Sequence, residues 1–246
     1  MKDFFQKDED HAHLDPKAQK RIFVPTQGTG DWRELLADPK TQWRTKYSAK
    51  ALADSWEKSN GFPPEVVELF VSSGIPSFNG LNLLLAFPEH KVDLPPKGGR
   101  PSQNDLFVIA KGSDGGLVSI MIEGKVNEPF DKTLGEWKVE MSRGKTERLR
   151  FLHDRLDLSA DIPDPIRYQL IHRTASALIE AKMFNAGSAV MLIHSFSESN
   201  RWFNDYEAFL SLFGVKAVLG KLHFLKRAHG VDLYSGWVRG ELNEDG

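Results

Sequence analysis

Residues 105–110 (Asp-Leu-Phe-Val-Ile-Ala) and 117–126 (Leu-Val-Ser-Ile-Met-Ile-Glu-Gly-Lys-Val) are two apolar runs separated by Lys-Gly-Ser-Asp-Gly-Gly. Branched and aromatic runs joined by glycine-rich turn residues form a β-hairpin. In an antiparallel hairpin the start of the first strand lies opposite the end of the second, which brings Asp105 level with Glu123 and Lys125. Alternate side chains of the second strand face opposite ways. Val118, Ile120, Ile122 and Val126 therefore share one face, and Glu123 and Lys125 share the other. A carboxylate and an ammonium at the end of such a strand are costly to bury unless each meets an opposite charge.

Two carboxylates a few ångströms apart repel, and a divalent cation between them relieves the repulsion. Magnesium (Mg2+) or manganese (Mn2+) suits this pair, because such ions take oxygen ligands, keep several waters and also bind phosphate. Asp105 and Glu123 are the expected metal ligands, and the backbone carbonyl of Gly124 can add a third. Lys125 stands beside this shell, where a cation can orient the attacking water and offset charge in a phosphoryl transition state. The competing expectation is a structural ion pair at a strand end.

The surrounding pattern predicts a mixed α/β chain. Pro63 and Pro64 open a helix that ends at Gly74. Residues 81–87 read as a short buried strand closed by Pro88, and residues 95–101 (Pro-Pro-Lys-Gly-Gly-Arg-Pro) as an exposed loop. After the hairpin come a helix over 133–152, a second helix over 166–184 and a strand over 190–194. A helix over 205–213 and an edge strand over 233–238 complete the pattern. The expected organisation is a tail over 1–20, a helical extension over 21–62, a core over 63–196 and a C-terminal extension over 197–246 packed on that core. Trp32, Trp43 and Trp56 are spaced to anchor short helices onto the body.

Asp105 followed eighteen positions later by Glu123-Gly-Lys125 at the end of an apolar strand resembles the PD-(D/E)XK nuclease superfamily. The resemblance spans residues 63–196, although Asn104 stands where the superfamily's name has proline. It implies an αβββαβ, restriction-endonuclease-like core with a central mixed sheet flanked by helices. It also implies metal held by the Asp and Glu, and hydrolysis of phosphodiesters, mostly in DNA. Many members carry a glutamine or a basic residue on the helix after the Glu-x-Lys strand. Gln169 and Arg173, four residues apart on one helical face, fill those places here. An acid from the first core helix often completes such sites, and Glu68 is preferred over Glu65 for that role.

Composition narrows the alternatives. The 246-residue chain has no cysteine, which excludes disulfides, thiolate zinc sites, thiol catalysis and iron–sulfur clusters within it. A formal net charge of −2 does not advertise a polyanion partner. Local charge is more suggestive. Residues 208–231 hold no acid but include Lys221, Lys226 and Arg227, and residues 138–155 include Arg143 and Lys145. Both stretches are expected to flank the cleft that holds Lys125. Gly144-Lys-Thr146 is not a phosphate loop, because Val139 occupies the required glycine position. His172 and His194 lie in apolar surroundings that suit core histidines, and His11 and His13 lack a nearby third ligand.

No stretch is apolar enough to span a membrane and the acidic start is unlike a secretory signal, so a cytoplasmic location is expected. The expected partner is nucleic acid, DNA first, and a homodimer is compatible with the sequence. The leading function is a metal-dependent nuclease. A nuclease-fold binding protein without activity, or a small-molecule hydrolase on an unrelated α/β fold, are the alternatives.

Overall fold

The computed structural model describes Thr26, residues 28–59 and residues 61–242. The expected tail, with His11 and His13, lies outside the described residues. The helices are α1 (Thr29–Arg33), α2 (Pro39–Gln42), α3 (Ser48–Ser59), α4 (Pro64–Ser72), α5 (Leu134–Lys138), α6 (Arg143–Arg155), α7 (Tyr168–Met183) and α8 (Phe203–Ser211). The strands are β1 (Asn82–Val92), β2 (Ser102–Lys111), β3 (Leu117–Lys125), β4 (Ser188–Ser195), β5 (Leu222–Ala228) and β6 (Val231–Arg239). From α4 onward the core order is αβββαβ, formed by α4, β1, β2, β3, α7 and β4. No described helix is long and apolar enough to cross a membrane.

The six strands make one mixed sheet in the order β1-β2-β3-β4-β6-β5. The first three strands meander antiparallel, β3, β4 and β6 run parallel, and β5 returns antiparallel. Parallel central strands need cover on both faces, and β4 is buried at every position. On one face Met121, Met191 and Ile193 pack with Leu170, Ile171 and Leu178 of α7. On the other, Ile120, Ile122 and Leu192 pack with Leu52 and Trp56 of α3 and Leu69 of α4. Each such side chain, fully buried, contributes about 1.5–3 kcal/mol.

Several sequence expectations need correction. The first strand does not close at Pro88 but runs on to Val92, because β1 is an edge strand where a missing backbone donor costs no ladder bond. The single helix expected over 133–152 is two. Glu140 takes a left-handed φ of 61°, and Ser142 starts α6 by accepting the Lys145 amide. The strand over 233–238 is interior, since the acid-free stretch supplies a further edge strand, β5. The C-terminal extension thus adds two strands to the sheet. Trp32 and Trp56 are buried, and Trp43 packs against the same cluster.

Candidate metal and phosphodiester site

The hairpin register pairs Leu106 with Ile122 and Lys111 with Leu117, so one further step sets Asp105 opposite Glu123 on the same face. The backbone ladder stops before that step. In place of a ladder bond, the Gly124 amide donates to Asp105 Oδ2 at 2.9 Å. A residue's N–H and C=O lie on the same side of a strand, so the Gly124 carbonyl also faces the opened fork between β2 and β3. Gly124 has a second constraint. A Cβ there would lie 3.3 Å from Ser48 Cβ, because the start of α3 rests on β3. Glu128, just beyond β3, accepts from the Ser48 amide at 2.8 Å and ties that helix start to the site.

Glu123 is 2% exposed and Lys125 3% exposed. Lys125 Nζ donates to Glu123 Oε1 at 2.6 Å, and Gln169 Nε2 donates to the same oxygen at 2.6 Å. Arg173 Nε donates to Glu123 Oε2 at 2.8 Å, while its outer nitrogen stands 3.6 Å from Asp105 Oδ1. One guanidinium therefore spans both carboxylates. The helix face anticipated from the four-residue spacing of Gln169 and Arg173 is the face turned to the site. Its position is fixed at the start of α7, where the Leu134 amide donates to the Ile166 carbonyl and the Tyr168 amide to the Lys132 carbonyl.

A third acid joins the row. The β1–β2 register pairs Pro88 with Leu106 and His90 with Asn104, which sets Glu89 across from Asp105. Glu89 adopts φ 54°, a left-handed conformation unusual for a strand residue, and accepts from Gln103 Nε2 at 2.7 Å. Sequence reasoning missed it by ending the strand at Pro88. The signal that could have found it is the pattern of apolar residues resuming at Val92. Glu68, preferred from sequence, is exposed on α4 against the opposite face of the sheet and takes no part. Glu65, its neighbour on that helix, instead accepts from buried His194 Nε2 at 2.8 Å.

Burial, then the charge of Glu123, pushes the Asp105 carboxyl up to about 7. Burial, then the charge of Asp105, pushes Glu89 up to about 8. Burial alone would also raise Glu123, but Lys125 and Arg173 outweigh it and hold that group below the usual range. Only when all three acids are ionised do they outnumber Lys125 and Arg173, so a cation placed here would draw protons off Asp105 and Glu89. Among the described residues no group of three or more His, Asp or Glu side chains could by itself hold a metal. An ion here would rest on Asp105, Glu123, the Gly124 carbonyl and water.

The site floors a cleft of about 1080 Å³. One wall is the segment from Leu36 to Ala49, and the other is the loop before β2 with α5 and α6. The basic stretches divide. Lys145 lines the cleft, but its ammonium holds the carbonyls of Trp137 and Val139 at the end of α5, while exposed Arg143 does not line it. Lys221, Lys226 and Arg227 do not flank the cleft. Lys221 directly precedes β5, the edge strand at the far side of the sheet that carries Lys226 and Arg227, with Lys226 paired to Asp157 and Arg227 to Asp232.

A family model described as Domain of unknown function (DUF6946) matches residues 25–242. The chain belongs to the DUF6946 family. The match takes in the whole αβββαβ core, both walls of the cleft and the two C-terminal strands. No curated protein and no solved structure matches the chain.

Proposed function

We propose that this protein is a divalent-metal-dependent nuclease that hydrolyses phosphodiester bonds. DNA is the first substrate to test, because the superfamily that the motif resembles acts mostly on it. The observation that carries this reading is the convergence of Asp105 and Glu123 on one guanidinium at the end of the hairpin, with Lys125 beside them. Charge supports it. Glu89, Asp105 and Glu123 bring three negative charges when ionised, and Lys125 and Arg173 two positive ones. A divalent ion and one phosphodiester group bring the total to zero.

Magnesium or manganese, when bound, would polarise the phosphate and raise the acidity of a nearby water. Asp105 and Glu123 would hold the ion. Gln169 and Arg173 fix the two Glu123 oxygens, so the carboxylate needs little reorganisation as charge develops. Lys125 lies where its ammonium can turn from Glu123 toward a phosphoryl oxygen and offset the charge gained in the transition state. The water oxygen bonds to phosphorus, the bond from phosphorus to one sugar oxygen breaks, and that oxygen leaves with a proton.

A second reading is a nuclease-fold protein that binds without cleaving. One observation favours it: both Glu123 oxygens already accept hydrogen bonds, from Lys125, Gln169 and Arg173. Purified protein incubated with closed circular and linear DNA, in magnesium, manganese or chelator, separates the two. Metal-dependent cleavage that is lost in Asp105→Asn supports the nuclease. Binding with no cleavage in any metal selects the silent protein.

A further inference from the structure

We infer that the cleft takes a single strand of nucleic acid in preference to a duplex, with phosphates on Arg44, Arg100 and Lys132 and a base stacked on Tyr47. The ligand class rests on the nuclease reading; the residues are separate from those of the reaction.

Depth is the first ground. Glu123 and Lys125 are almost wholly buried on the cleft floor, between the wall of residues 36–49 and the wall of α5 and α6. A cleft near 1080 Å³ is at the upper end of small-molecule sites and accommodates a few nucleotides of one strand. A duplex presents its phosphates on a rigid cylinder far wider than one strand, which would rest on the rim. The floor is also open at a second side. Lys125, Asp131, Lys132 and Gln169 border an adjoining opening, so a flexible strand can continue past Lys125.

Free positive charge is the second ground. Arg100 and Lys132 are exposed, line the cleft, and have no side-chain hydrogen bond or ion pair among the described residues. Lys145 and Arg148, by contrast, line the same cleft with their charges held by backbone carbonyls. The third ground is Tyr47. It is 40% exposed on the cleft wall with the Arg44 guanidinium 5.8 Å from its ring centre, and although Arg44 Nε donates to the Lys40 carbonyl at 3.4 Å, its outer nitrogens have no hydrogen bond among the described residues. An exposed ring beside a guanidinium is the platform on which unpaired bases stack, and paired bases offer no free face to it.

Fluorescence anisotropy of the full-length protein in chelator, with a short labelled DNA strand, the RNA strand of the same sequence and the blunt DNA duplex, tests this. We expect one of the single strands to bind about tenfold tighter than the duplex. Tyr47→Ala should weaken that binding about tenfold while Tyr47→Phe retains it. Arg44→Ala, Arg100→Ala and Lys132→Ala together should lower the slope of log affinity against log salt by about 2, since each single-strand phosphate contact contributes about 0.7. The combined alanine variant of Lys221, Lys226 and Arg227 should match the parent. All of these side chains but the half-buried Lys226 are exposed, and unchanged melting curves establish that the variants are folded. Equal or tighter duplex binding, or a Tyr47→Ala variant that binds like the parent, overturns the inference. Strand binding without cleavage in manganese overturns the nuclease reading alone, cleavage with duplex preference overturns this inference alone, and no binding of any of the three overturns both.

Discussion

Arg173 donates to Glu123 across 2.8 Å from the middle of a helix, and the same guanidinium reaches Asp105 on the neighbouring strand. Both groups of the closer pair are buried. Removing one partner of a buried ion pair leaves an uncompensated charge, which costs about 3–5 kcal/mol. Arg173→Ala should lose roughly that much stability in urea unfolding of the metal-free protein, and manganese should recover part of it. Arg173→Lys should recover less than the full amount, because one ammonium cannot span two carboxylates as a planar fork does. An Arg173→Ala variant as stable as the parent would remove the guanidinium from any structural role.

The raised carboxyls make stability depend on pH. Asp105 and Glu89 bind protons more tightly folded than unfolded, so their contribution is fully present below about pH 4. It is lost as pH rises through about 7 and 8. Buried His172 and His194 act in the opposite sense. Burial holds both below the ordinary histidine range, so their contribution is present above about 6.5 and lost as pH falls. Metal-free stability should therefore fall between pH 6.5 and 8.5, by on the order of a few kcal/mol. Stabilisation by manganese should grow over the same interval. Melting temperatures at both pH values, with and without manganese, check this. A flat upper limb would contradict the raised carboxyls.

Glu89 is separable from its neighbours. Glu89→Gln removes one negative charge while keeping an oxygen for Gln103, so metal-free stability at pH 8.5 should rise and the manganese response should shrink. Glu89→Gly loses the same charge and also relieves the left-handed backbone, by about 1 kcal/mol before the entropy cost of glycine is counted. Paired melts of the two variants distinguish a charge effect from a backbone effect. Identical shifts in both would mean that the left-handed backbone stores nothing, and a Glu89→Gln variant that melts like the parent at pH 8.5 would mean that the carboxylate does not interact with Asp105.

Much of this site was legible because it depends on period and register alone. An apolar hairpin with a counted loop fixes which residues of β2 and β3 face each other, and a four-residue helical spacing fixes Gln169 with Arg173. Glu89 was not legible in the same way. Whether proline ends a strand depends on whether that strand lies at a sheet edge, and only the assembled sheet decides that. The basic stretch over 208–231 misled for a related reason. Absence of acids nearby in sequence says nothing about partners across space, and Asp157 and Asp232 meet Lys226 and Arg227 only once β5 is in place. The cations that line the cleft with no side-chain hydrogen bond or ion pair among the described residues, Arg100 and Lys132, stand singly in the sequence and form no run.

Whether Glu123 is a metal ligand, with Lys125 its neighbour outside the metal shell, is tested most directly by comparing Glu123→Gln with Lys125→Ala in manganese. Glu123→Gln removes a negative oxygen, so the manganese-induced rise in melting temperature should shrink. Lys125→Ala removes a positive neighbour from two carboxylates, so that rise should persist or grow while cleavage falls by about two orders of magnitude or more. A structural ion pair behaves differently, since loss of either partner strands the other. Equal destabilisation of both variants, with no manganese response in the parent protein, would contradict the site.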